Sequence, residues 1–102
     1  MNAFDIGSID DVIHGRLRLG IMAFLSAAGS AEFSELKAKL QTTDGNLSVH
    51  LRKLEEAGYV EIGKSFVGRK PLTRASLTEK GRDAFVAYLD ALEKLLPRTE
   101  RS

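Results

Sequence analysis

Residues 42–61 read TTDGNLSVHLRKLEEAGYVE. This run predicts a short helix that starts behind a threonine cap, stops at Gly58 and passes into a strand. Thr43 can accept from the free N–H groups of a first helical turn, and Asp44 puts an anion where the helix dipole favours one. At about 100° per residue, Leu51 falls about 40° and Leu54 about 20° from Leu47, so the three leucines make one stripe that has to face a core. Arg52, Val49 and Lys53 lie roughly opposite the stripe. Asn46 and Ser48 lie to its sides, and His50 sits on its flank. The fold follows from the leucine side; the function turns on whether the other side is merely solvated.

Beyond Gly58, Val60, Ile62 and Phe66 share one parity, interrupted by Lys64, which predicts a strand over about 59–67. VGRKP, with Gly68 and Pro71, reads as a turn, and LTRASL (72–77) as a returning strand. Upstream, Ile9, Val12, Ile13, Leu17 and Ile21 recur at helical spacing. They predict a first helix over about 9–28, capped by Ser8, with Asp10 and Asp11 in its first turn and Gly29 at its end. SAEF (30–33) reads as a very short extended piece, and Ser34 as the cap of a short helix ELKAKLQ. Thr78 caps a last helix that continues to about Leu96, where Pro97 stops it. The order helix, short strand, helix, helix, strand, strand, helix is mainly α with a small β-hairpin, an α+β class. A helix pair with a tight turn followed at once by a two-stranded ribbon is the layout of a winged helix-turn-helix. A single domain over 1–102 is expected, with the helix-turn-helix at about 34–58, the wing at about 59–77 and the last helix at about 78–96.

Composition narrows the function classes. The 102 residues suit one modest core, and 43% hydrophobic with 28% charged residues is a globular balance. There is no cysteine, which excludes a disulfide scaffold, a thiolate metal site and a cysteine nucleophile. The start, MNAFDIGSIDD, lacks the basic-then-apolar pattern of a signal peptide, and GIMAFLSAAG is too short an apolar run to span a bilayer, so a cytoplasmic location is expected. His14 and His50 have no third ligand at metal spacing, and no phosphate loop or nucleophile motif occurs. Neither an enzyme nor a cofactor is expected. The net charge of +1 means that any nucleic-acid contact must come from where the charges sit.

Two segments concentrate the relevant groups. In helix-turn-helix docking the N-terminal part of the recognition helix meets base edges. Here that part holds Gly45, Asn46, Ser48, Val49 and His50, with Thr43 at the cap. Asn suits an adenine edge, Val a thymine methyl, and Arg52 and Lys53 suit phosphates or a guanine. An outward Val49 serves neither helix propensity nor solubility. Between Lys64 and Arg74 there are four cations (Lys64, Arg69, Lys70 and Arg74) and no acid. Cations on an edge strand can simply prevent sheet pairing. Following directly on a recognition helix, they instead make a wing that can straddle the DNA backbone or reach into the minor groove.

In the last helix, Phe85, Leu89, Leu92 and Leu96 follow a 4-3-4 spacing, with Tyr88 beside them. The extra stripe predicts a homodimer seam, joined by Phe4, Ile6 and Ile9, and such a dimer would read an inverted-repeat site.

The segments NLSVHLRKLEEAGYVE and GRKPLTRASLTEKGR together resemble the winged-helix transcriptional regulators of the MarR and ArsR-like group. LSVHLRKLEEAGYV is similar to their recognition-helix signature, and LTEKGR to their junction of wing and last helix. The resemblance implies a bacterial or archaeal regulator binding duplex DNA as a homodimer. By position it implies contacts from Asn46, Ser48, Val49, His50 and Arg52, and from Arg69 and Lys70 in the wing. The cysteine motif of the metal-sensing members is absent, and so are the long flanking helices that build an effector pocket. Control by abundance or by a partner protein is therefore the simpler expectation. The other readings are a protein-interaction module on the same scaffold and a ligand sensor with a crevice near Phe24 and Tyr88.

Overall fold

The computed structural model describes residues 6–96. After a 3-10 turn (Ile6–Ser8) come α1 (Arg16–Ala28), β1 (Ser30–Glu32), α2 (Phe33–Leu40), α3 (Asp44–Glu56), β2 (Val60–Val67), β3 (Lys70–Leu77) and α4 (Glu79–Leu95). The strands form one antiparallel sheet in the order β1-β3-β2. This is the α+β winged-helix arrangement that the element order predicts.

The leucine stripe of α3 is the centre of the core. Leu47, Leu51 and Leu54 are all buried, together with Ile21, Met22 and Leu25 of α1, Leu36 of α2 and Tyr88 of α4. Deleting one such leucine side chain typically costs about 2–5 kcal/mol. At the start of α3, Thr43 Oγ1 accepts from the Asn46 N–H at 3.2 Å, the cap that the sequence predicts. At its end Gly58 takes φ +84°, a backbone that a Cβ would strain, and this reversal sends the chain into β2.

The hairpin closes with Val67 opposite Lys70, leaving Gly68 and Arg69 as a two-residue loop. Gly68 supplies the positive φ (+65°) that such a loop needs at its first position. Pro71 belongs to β3 rather than to the turn, one pair further along, opposite Phe66. That is tolerated because β1 covers only Arg74–Ser76 of β3, so no third strand requires an N–H from residue 71.

The first helix begins later than predicted, at Arg16 rather than near Ile9. Asp10 competes for the local backbone: its Oδ1 accepts from the N–H of Val12 (2.8 Å) and Ile13 (3.3 Å), a turn that pre-empts helix. Gly15 then stands at the true N-terminus. Ile9 and Ile13 are buried all the same, plugging the core from this irregular segment. α2 also starts earlier than predicted, at Phe33, so Ser34 is not its cap. The short extended piece at 30–33 is a strand in register with β3, Ala31 opposite Ala75.

Candidate nucleic-acid interface

Because its leucines face inward, α3 turns Asn46, Ser48, Val49, Arg52 and Lys53 to solvent. Val49 is 53% exposed, an apolar β-branched side chain outside the core of the described residues. Gly45 is exposed too, and a Cβ placed there would have no atom within 4 Å. The helix therefore presents a small, open N-terminal turn followed by two cations.

Asp44 is the one acid in that first turn. Lys37 of α2 sits 2.9 Å from it, offsetting a charge that would otherwise repel a phosphate. The pair is exposed and worth little as stability.

His50 is held from across the core. Arg18 of α1 donates from Nη1 to His50 Nδ1 at 2.9 Å, and from Nε to the Val12 carbonyl at 2.5 Å. A guanidinium only donates, so Nδ1 must be the bare acceptor and the ring proton must sit on Nε2. Burial, then the positive Arg18, then Lys53 hold the imidazole below its usual titration range. The ring is thus a neutral donor at the edge of the exposed face. Sequence reasoning missed Arg18. A cation between Leu17 and Leu19 was the visible signal, but its partner lies 32 residues away.

α3 and the wing bound a common groove. Ser48, Leu51, Arg52 and Glu55 line it from α3, Ile62, Lys64 and Thr73 from the ribbon, and Phe33 from the start of α2. Arg69 and Lys70 are exposed at the tip. Arg74 has a different neighbourhood: it lies 3.5 Å from Glu32 and donates to Ser30 Oγ at 3.1 Å, tying β3 to β1. Among the described residues, the wing's positive charge outside an ion pair is therefore at Lys64, Arg69 and Lys70.

The predicted seam residues fall into two sets. Ile9, Phe85 and Tyr88 belong to the core of the single chain, and His14 Nδ1 shares a 2.8 Å hydrogen bond with the Tyr88 hydroxyl. Burial raises the pKa of that hydroxyl. Phe24, named for a crevice with Tyr88, packs half-buried against the same core. Leu92 is half-buried, whereas Ile6, Leu89 and Leu96 are exposed, and so is Val86, outside the predicted set. Phe4 lies outside the described residues. No described helix is long and apolar enough to cross a membrane.

The family model described as a winged helix DNA-binding domain matches residues 17–96. An uncharacterized protein of Methanocaldococcus jannaschii is 40% identical over 89 residues, 87% of this chain and 97% of that protein. The structure of a transcriptional regulator homologue from Pyrococcus horikoshii OT3 superposes with a TM-score of 0.83 at 32% identity, covering 91% of this chain and 92% of that one. NadR in complex with 4-hydroxyphenylacetate superposes with a TM-score of 0.66 at 20% identity, over 87% of this chain and 60% of its own, a likeness of fold.

Proposed function

The chain belongs to the winged helix DNA-binding domain family of transcription regulators, and from that premise we propose that it binds double-stranded DNA in a sequence-specific manner as a homodimer. In this reading α3 enters the major groove, where Asn46, Ser48 and Val49 meet base edges and Thr43, His50, Arg52 and Lys53 hold the backbone. Lys64, Arg69 and Lys70 engage phosphates or the adjoining minor groove. The observation that carries the proposal is the shared groove, with Ser48 and Arg52 on one wall and Lys64 on the other. A duplex lying along α3 would meet the wing without any rearrangement of the chain.

Selection of bound duplexes from a random pool tests the reading. A palindromic consensus is expected, with half-sites one helical turn apart, since a two-fold dimer spaces its recognition helices by roughly 34 Å. Affinity for the winner should fall steeply with salt. Arg69→Ala should weaken all duplexes alike and lower the log–log salt slope by about one. Asn46→Ala should instead relax preference at one base position, at a cost of about 1–3 kcal/mol. Enrichment of no sequence over bulk DNA would overturn the specific reading.

A further inference from the structure

Among the described residues, the wing carries apolar groups out beyond the edge of the core. One face of the β2–β3 ribbon runs, pair by pair, Val60 with Leu77, Ile62 with Ala75, Lys64 with Thr73 and Phe66 with Pro71. The first two pairs seal the core: Val60 and Ala75 are buried and Ile62 and Leu77 pack against them. At about 3.3 Å per residue, Phe66 stands about 13 Å further out than Ile62. It is 72% exposed, and β2 is exposed from Gly63 to the tip. Gatekeeping against sheet pairing explains Lys64, Arg69 and Lys70. It does not explain a phenylalanine facing a proline beyond the edge of the core.

Orientation and charge say what would cover the pair. Ile62, Lys64 and Thr73, on the same ribbon face, already line the groove shared with Ser48 and Arg52 of α3. Phe66 and Pro71 therefore extend that face, on the side where α3 exposes its polar residues. Directly opposite pairs in a two-residue hairpin alternate between hydrogen-bonded and non-hydrogen-bonded. Val67–Lys70 closes the loop, so Phe66–Pro71 is the second kind, in which side chains approach most closely. Pro71 is therefore the direct cross-strand neighbour of Phe66. From Ile62 to Thr78 the chain has no acid and four cations. A second copy of the wing would bring like charges together. A polyanion with an apolar interior, reached between two rows of phosphates, matches both features.

We propose that Phe66, with Pro71 as its cross-strand neighbour, is an apolar wedge that enters the minor groove of duplex DNA and partly unstacks one base step, while Arg69 and Lys70 hold the flanking phosphates. The proposal rests on the double-stranded DNA reading above and adds a specificity element to it. Pyrimidine–purine steps unstack most readily, so the wedge selects TA or CA/TG at the register of the wing without hydrogen-bonding a base.

The test compares the full chain with Phe66→Ala, Phe66→Leu and Arg69→Ala, using two probes that need no known operator. The first is binding to an alternating dA–dT duplex, titrated with salt. The second is a closed circular plasmid relaxed by a type I topoisomerase in the presence of each protein at matched occupancy. Wild type is expected to unwind the plasmid and shift the topoisomer distribution. Phe66→Ala should abolish the shift and weaken the dA–dT duplex by about tenfold or more, with an unchanged salt slope, as loss of stacking requires. Phe66→Leu, still a wedge, should keep much of the shift. Arg69→Ala should lower the salt slope and keep the shift. Equal unwinding and affinity for Phe66→Ala and wild type would overturn the wedge while leaving the DNA reading intact. So would a changed sedimentation mass for Phe66→Ala, which would assign the ring to a second copy. Capture of wild type but not Phe66→Ala by anionic phospholipid vesicles, with no unwinding, would assign it to a lipid surface. Absence of any salt-dependent duplex binding by wild type would sink both readings together.

Discussion

Arg18 and His50 make the residue-scale case that protonation matters at this surface. The imidazole accepts from a cation through Nδ1, so gaining a proton there breaks the bond and sets two positive charges face to face. The native pKa accordingly lies below the ordinary 6.5, through burial first and the cations second. Because the unfolded chain titrates at the ordinary value, it binds more protons than the native state throughout the interval between the two. Stability therefore rises with pH across that interval, is fully present above 6.5, and is lost as pH falls through the native value. Following the His50 ring signals by NMR should give a midpoint under 6.5 that moves up in Arg18→Ala. The acid-induced fall in melting temperature should shrink in the same variant. A midpoint that stays put or moves down would show that Arg18 does not set the ring's state. The contact was not legible in the sequence, since periodicity places His50 on a flank without indicating what α1 brings to it. The Thr43–Asn46 cap was legible, because both groups lie within one turn of the same helix. Tyr59 falls with Arg18: its hydroxyl donates to Asp10 Oδ2 at 2.5 Å, and burial and that bond push its pKa up to about 12, a pairing across 49 residues.

Among the elements, the junction LTEKGR shows how a short pattern can encode a packing requirement. Thr78 Oγ1 accepts from the Gly81 N–H at 2.9 Å and donates to the Gly58 carbonyl at 2.6 Å, so one hydroxyl caps α4 and ties it to the end of α3. Gly81 has to be small: a Cβ there would stand 2.1 Å from the Tyr59 carbonyl oxygen, a backbone atom that cannot step aside. Gly81→Ala pits a helix-propensity gain of about 1 kcal/mol against overpacking that costs about 3 kcal/mol or more. The clash wins, and denaturant unfolding should show a large loss of stability. Thr78→Ala should lose about 1–2 kcal/mol through the cap. Gly45→Ala, facing open space in α3, should be stabilising by up to about 1 kcal/mol. A stabilised Gly81→Ala would mean that α4 does not sit on Tyr59 as described. α3, the wing and α4 could be read in advance because their caps, stripes and turn glycines are local signals. The start of α1 could not, because the Asp10 side chain that makes the turn is also held by the Tyr59 hydroxyl, 49 residues away. Nor could the pairing of β1 with β3, because three residues carry no sign of a partner 44 positions away.

At the scale of the whole molecule, α4 extends past what the other described residues cover. The described residues span 55 × 25 × 22 Å, about twice as long as wide. The 4-3-4 spacing is a true stripe: at about 100° per residue Phe85, Leu89, Leu92 and Leu96 lie within about 60° of one another. Burial along it declines toward the C-terminus. Phe85 is 8% exposed, Leu92 is half-buried and Leu96 is 65% exposed, because the core ends beneath the last turns. Leu89, at the edge of the stripe, is 47% exposed, and Val86 beside it 61%. In the proposed dimer these outer positions, with Ile6, meet their two-fold copies, while Phe85 and Tyr88 act indirectly by holding α4 in place. The double variant Leu89→Lys/Leu96→Lys separates the two roles. It should sediment as one chain where wild type sediments as two, with the melting of the single chain little changed, since neither side chain is in the core. Its affinity for an inverted repeat should fall by about 100-fold, the order lost when two linked contacts become independent, while affinity for a single half-site holds. Phe85→Ala should behave oppositely, losing about 3–5 kcal/mol of stability through its buried ring. If the double lysine variant still sediments as two chains, the seam lies elsewhere on the molecule.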